Sequence, residues 1–157
     1  MNIVIDNIKK ELFENIVASD VEDENRDVPL YRDIFHIIGS IRCAVLLARR
    51  RGMHCDIAEI AMSLHDISRI NDGKIKDHAL NSSKRAEEIL KNENIDLLVL
   101  NEIVTSIKLH VNKAELNSEF DELIKDADVL DTYLNGDEIK NPDLINRIDK
   151  IKKELNI

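Results

Sequence analysis

The chain has little glycine, proline or aromatic side chain: four Gly, two Pro, three Phe, two Tyr and no Trp among 157 residues. β-Sandwiches and barrels need many turn residues, so this scarcity argues against them and favours helices with short connections. Apolar residues still make up 43% of the chain, which predicts an aliphatic core of Ile, Leu, Val and Ala. The length is typical of one domain, and we predict a single domain over residues 1–157.

Long hydrophobic runs, cysteine motifs and excess positive charge are also missing. The N-terminal segment carries charges throughout, which argues against a signal peptide and a membrane span. Cys43 and Cys55 form no CxxC motif and are expected to be reduced thiols of a cytoplasmic protein. The net charge of −9 repels phosphate backbones, so neither general nucleic-acid binding nor binding to anionic membranes is expected. A small phosphorylated substrate is compatible with this charge, because metal ions reverse it locally.

Apolar residues recur at helical spacing along most of the chain, and the pattern predicts an all-α protein of about seven helices. Pro29, Gly52 and the Asn141-Pro142 pair mark helix ends. The predicted helices cover residues 3–17, 31–51, 55–66, 78–91, 95–110, 118–134 and a last segment from Pro142 onward. Residues 18–30 and 67–77 are predicted to be loops, and no segment has the alternating pattern of a strand.

The adjacent residues His65 and Asp66 end the apolar run IAEIAMSL of the third predicted helix. Two polar residues are an odd end for a buried helix unless they bind something. Both side chains can reach one ion near the helix end, where His supplies a neutral nitrogen and Asp an oxygen that can bridge two ions. The dipeptide occurs by chance in many chains, so it is weak support by itself.

Two carboxylates lie near the apolar face of the helix predicted over residues 118–134. A helical projection puts Asp131 inside that face and Asp128 at its edge. Because a buried carboxylate is costly without a partner, one of the two is expected to meet a cation or a hydrogen-bond donor. The projection does not choose between them. Asp121 and Asp126 project away from the face and are expected to be solvated.

Three further histidines, His54, His78 and His110, can be interpreted from their positions in the predicted helices and turns. His110 shares a face with Ile103 and Ile107, so an inward-pointing ligand and a residue stabilised by the helix dipole are equally good interpretations. His78 begins a helix and is equally well explained as a metal ligand or a polar first-turn residue. His54 lies in a polar turn and is expected at the surface.

Taken together, these residues resemble the HD domain superfamily of metal-dependent phosphohydrolases. FHIIGSIRCAVLLARRRGMHCDIAEIAMSLHDIS resembles the family's first His, long helix, short turn and A-x-x-L-H-D-I helix. DHALNSSKRAEEIL, IVTSIKLH and IKDADVLDTY resemble three further family segments in the same order. The resemblance covers about residues 31–135 and implies a bundle of five or more helices, with the metal site at its centre and flanking helices at both ends. One departure is Gly39, where many members carry Arg.

The resemblance also implies a set of metal ligands. One divalent ion would be held by four side chains: His36, His65, Asp66 and Asp128. In members with two ions, further histidines bind the second one, and the residues at those positions here are His78 and His110. Asp131 is expected to orient a ligand histidine from outside the ligand shell. The identity of the metal stays open among Mn, Fe, Co, Ni, Mg and Zn.

The function that the resemblance implies is hydrolysis of a nucleotide or another small phosphoester, as a phosphomonoesterase or a phosphodiesterase. His65 and Asp66 would carry the catalysis by activating a water through the metal. Three cations near the motifs are candidates for binding the substrate phosphate: Arg69, Lys108 and Lys113. Two alternatives use the same ligands: a di-iron oxygenase of the HD fold, and a metal-containing nucleotide-binding module without turnover.

Overall fold

The computed structural model describes residues 2–157, and within that range every regular element is helical. The α-helices are α1 (Asn2–Ala18), α2 (Leu30–Arg51), α3 (Cys55–Leu64), α4 (Ile67–Asp72), α5 (His78–Leu90), α6 (Leu97–Leu109), α7 (Glu119–Leu134) and α8 (Pro142–Leu155). A 3-10 turn lies between α1 and α2, at Asp23–Asn25. The all-α prediction is confirmed. The loop predicted over residues 67–77 is wrong in its first half, where the chain forms the short helix α4.

The helix ends follow from local chemistry. The α2 helix ends at Gly52, whose positive φ of 67° lets its N–H reach the carbonyls of Ala48 and Arg49. A capping box of Ser118 and Asp121 begins α7, and the Asn141 side chain caps α8. The predicted helix start at Asn141-Pro142 is therefore confirmed.

The central element of the bundle is α3. It packs against α1, α2, α5, α6 and α7, and its residues from Ile57 onward are buried except Glu59. A helix that is apolar over most of its surface fits such a position, because little of it meets water. The segment that follows α3 is thereby brought to the middle of the protein.

The terminal helices cover the outside of this core. The α1 helix packs on α3 and α4, and α8 packs on α7 through Ile148 and Ile151. Among the helices of residues 2–157, none combines the length and apolar content needed to cross a membrane.

Two aspartates of α7 that were expected to be solvated are buried, so that expectation is wrong. Asp121 accepts a hydrogen bond from the Ser106 hydroxyl, and Asp126 accepts from Arg51 and Arg147, each at 2.6 Å. The projection treated α7 alone, whereas α6 and α8 cover the faces that carry these two carboxylates.

Candidate metal centre

His65 and Asp66 lie at the break between α3 and α4. His65 keeps helical torsions, but Asp66 has φ −117° and ψ 19°, and α4 begins one residue later. Both side chains are buried. The backbone bend places the imidazole and the carboxylate side by side at the bundle centre, as the ligand hypothesis requires.

Hydrogen bonds to the backbone fix the orientation of three histidine rings. Each ring places Nδ1 against the carbonyl oxygen three residues earlier: His65 with Met62 at 2.8 Å, His78 with Ile75 at 2.6 Å and His110 with Ile107 at 2.6 Å. A carbonyl oxygen only accepts, so each Nδ1 donates its proton, and in a neutral ring Nε2 then has a free lone pair. Such hydrogen bonds are the usual means by which proteins orient a metal-binding histidine.

The Nε2 atoms of four histidines converge on Asp66 in two pairs. His36 and His65 bring their Nε2 atoms within 3.3 Å of each other, 3.7 and 3.6 Å from Asp66 Oδ2. His78 and His110 form the second pair, also 3.3 Å apart, 3.3 and 3.6 Å from Asp66 Oδ1. Each carboxylate oxygen therefore faces one pair of nitrogens, and within each group the ligand atoms lie within 4.8 Å of one another.

These residues fit divalent cations. Asp66 Oδ1 is buried and has no hydrogen-bond partner among the residues described, a costly state for a carboxylate oxygen unless a cation neutralises it. Two nitrogens that share a tetrahedral ion with bonds of about 2.0–2.1 Å lie about 3.3–3.4 Å apart, close to the separation in both pairs. Imidazole nitrogen together with carboxylate oxygen suits Zn, Fe, Mn, Co and Ni.

Asp128 and Asp131 both contact His36, from opposite sides of its ring. Asp128 Oδ1 lies 3.0 Å from Nε2, and its other oxygen pairs with Lys113. Asp131 Oδ2 accepts from Nδ1 at 2.7 Å and from the Asn135 amide at 2.9 Å. Asp128 is joined to the ligand cluster through His36 alone and stands outside both compact groups, so its role as a ligand stays a prediction.

Gly39 has a structural reason that the sequence did not reveal. A Cβ atom at this position of α2 would stand 1.8 Å from Asp131 Oδ1. Glycine inside a helix costs about 0.5–1 kcal/mol of stability relative to alanine. Here the close approach of the Asp131 carboxylate accounts for it, because the carboxylate occupies the space that a Cβ would need. Any other residue at this position would require the Asp131 carboxylate to move.

The charges of the cluster divide the histidines into two kinds. Burial opposes a charge on His36, but hydrogen bonds with Asp128 and Asp131 outweigh it and raise its pKa to about 10. Burial lowers the pKa of His65, and it lowers that of His110 to about 3. In the protein without metal, the His36 ring is thus protonated on both nitrogens and positively charged, whereas the rings of His65 and His110 stay neutral and can bind a cation.

Of the three predicted phosphate-binding cations, Arg69 alone lines the cavity that leads to this cluster. That cavity has a volume of about 500 Å³ and reaches the cluster at His36 and Asp128. Arg69 donates to Asp66 at 2.8 Å and also pairs with the buried Asp33. Lys113 pairs with Asp128 from outside this cavity, and Lys108 is exposed away from it. Asp33 was missed, although it lies three residues before His36 on the same helix face.

Comparison with known proteins bears on the family and the fold of the chain. The sequence model of the HD domain family matches residues 34–133. A similar solved structure is the crystal structure of a "predicted HD superfamily hydrolase" from an uncultured Thermotogales bacterium, with 22% sequence identity and a TM-score of 0.62 over 99% of this chain and 89% of that one. At this identity the likeness shows the fold alone. No curated protein matches the chain.

Proposed function

Because this chain belongs to the HD domain family, we propose that it is a metal-dependent hydrolase of phosphoesters, acting on a nucleotide or another small phosphorylated molecule. The observation that carries the proposal is the placement of Asp66 between two pairs of histidine Nε2 atoms. The free thiols of Cys43 and Cys55 support the further proposal that the protein works in a reducing cytoplasm.

The ions would be held by the residues that surround Asp66. One would take His36, His65 and Asp66, with Asp128 as a further ligand, and a second would take Asp66, His78 and His110. A divalent cation bound here supplies a water of lowered pKa and neutralises charge on a phosphoryl oxygen.

The protein's own residues supply orientation and charge. Asp131 holds the His36 ring through Nδ1, and backbone carbonyls hold the other three rings, so little reorganisation is needed on binding. Arg69 lines the cavity, and its guanidinium would bind an anionic oxygen of the substrate. The buried walls around His65 and Asp66 strengthen these electrostatic interactions by excluding water.

The proposal is tested by hydrolysis of a panel of nucleotides and sugar phosphates with Mn, Co, Ni, Mg, Fe or Zn. We expect turnover that depends on the metal and is lost in Asp66→Ala and His65→Gln. The matched control is His54→Gln, because His54 is an exposed histidine outside the cluster. Absence of turnover with every metal, or an unchanged rate in Asp66→Ala, would refute the proposal.

A di-iron oxygenase is the second candidate, and the arrangement of two histidine pairs about one carboxylate favours it. The two functions differ in the metal and the co-reactant. Purification in air followed by iron analysis and EPR separates them, since the oxygenase requires two irons per chain and consumption of O₂. A metal-containing nucleotide-binding module is the third candidate, and it would bind nucleotide tightly and return it unchanged.

A further inference from the structure

Two of the side chains that line the cavity are aromatic. Tyr31 and Phe35 are four residues apart on α2, so they share one face of the helix. Both line the cavity, and they are 60% and 69% exposed. The whole chain has only five aromatic residues, so this placement uses two of them where no core needs them.

The exposed pair is continuous with the metal centre. His36 follows Phe35 directly, and Tyr31 precedes His36 by five residues, an axial rise of about 7.5 Å along the helix. The polar side chains of Asp128, Thr132 and Asn135 line the same cavity. A molecule that reaches the ligand cluster with one end can therefore contact the aromatic pair with the other and has hydrogen-bonding groups beside it.

The shape and chemistry of the cavity favour a small ligand over a protein partner. Its volume of about 500 Å³ lies within the usual range for small-molecule sites, about 300–1,000 Å³. A flat ring is the group that gains most from two neighbouring aromatic faces, because stacking is worth about 1–3 kcal/mol per nucleic-acid base. The polar side chains that line the same cavity suit a sugar.

We propose that Tyr31 and Phe35 are the base-binding surface of this site, which makes its substrate a nucleoside phosphate rather than a simple sugar phosphate. The inference rests on the proposed function for the position of the phosphate, which would lie at the metal cluster beside Arg69. It adds the specificity-determining residues: the aromatic pair binds the base and takes no part in the hydrolysis.

The test measures the contribution of the base to binding and to turnover. Adenosine 5′-monophosphate and ribose 5-phosphate carry the same phosphate and sugar and differ in the base. Calorimetry on the Mn-loaded protein is expected to give about ten-fold or more tighter binding of the nucleotide. In the double variant Tyr31→Ala/Phe35→Ala, this preference falls to within about two-fold, and affinity for ribose 5-phosphate stays unchanged.

Phe13→Ala is the matched control, because Phe13 is an exposed phenyl group on α1 that does not line the cavity. It should retain the full preference for the nucleotide. Both replaced residues of the double variant are exposed, so the melting temperature is expected to stay close to that of the unchanged protein. Size-exclusion chromatography with light scattering checks whether the pair instead joins two copies of the chain.

The outcomes separate this inference from the proposed function. Equal hydrolysis of both compounds leaves the hydrolase proposal standing and overturns the base-binding surface. Preferential binding of the nucleotide without turnover of either compound supports the surface and counts against hydrolysis. A preference that survives in the double variant, or a double variant that loses only self-association, overturns the inference.

Discussion

The close approach of Asp131 to Gly39 makes a sharp prediction about metal binding. In Gly39→Ala, the new Cβ would stand 1.8 Å from Asp131 Oδ1. Real Cβ atoms essentially never come closer than 3.0 Å to such a neighbour. The carboxylate must therefore retreat by at least about 1.2 Å, the difference between these two distances. The other oxygen of this carboxylate, Oδ2, accepts the hydrogen bond of 2.7 Å from His36 Nδ1, and we expect the displacement to lengthen or break that bond, so that the ring loses the partner that fixes its orientation.

The expected loss can be estimated from that hydrogen bond. Removal of a carboxylate that orients a metal-binding histidine typically lowers metal affinity by about 10–100-fold. Without metal, the loss of a charge-assisted hydrogen bond costs about 1.5–3 kcal/mol, and the change from glycine to alanine in a helix returns about 1 kcal/mol. We therefore expect Gly39→Ala to lower both metal affinity and, by about 0.5–2 kcal/mol, the free energy of unfolding.

A double-mutant cycle tests the mechanism. Metal affinity is measured by competition with a chelator, and stability by urea unfolding, for Gly39→Ala, Asp131→Ala and the double variant. Once Asp131 is truncated, the Cβ at position 39 meets no carboxylate, so the double variant should bind metal as Asp131→Ala does. It should also be more stable than Asp131→Ala by up to about 1 kcal/mol. Additive losses of affinity would refute the reasoning.

Three further results are expected. His110→Gln should reduce the metal content from two ions per chain to one, as measured by plasma mass spectrometry. Metal binding at pH 7–9 should release about one proton and strengthen about ten-fold per pH unit, because a pKa of about 10 keeps His36 protonated below that pH and the ion needs the free Nε2. Asp126→Ala should lower the free energy of unfolding by about 2–3 kcal/mol, since it leaves Arg51 and Arg147 without a shared, buried carboxylate.

Each of these has a control and a contrary result. An unchanged metal content in His110→Gln would contradict a second ion held by His110. The comparison variant is His54→Gln, at an exposed histidine. Calorimetry in buffers of different ionisation enthalpy counts the protons, and no release at pH 8 would contradict the charged state of His36. The exposed Asp149 of α8 is the comparison for Asp126, and equal effects of the two alanine variants would show that burial of the ion pairs is irrelevant.

Some of the molecule could be predicted from patterns that are local in the sequence. Helical spacing predicted the fold class and most helix positions, because the period of the apolar residues reflects which face each helix buries. The cap at Asn141 was equally visible, since its hydrogen bond reaches only two residues. The short helix α4 escaped detection, because six residues are too few for a periodic pattern.

The pairing of distant side chains was decided by the tertiary structure alone. A projection of α7 could not choose between Asp128 and Asp131. In the folded protein both carboxylates contact His36, which lies 95 residues from Asp131 in sequence. Gly39 likewise has no local reason, and its neighbour comes from another helix. The sequence by itself determined the helices and supplied the ligand types. Tertiary packing decided which nitrogen and oxygen atoms come together, because that depends on contacts between residues far apart in the chain.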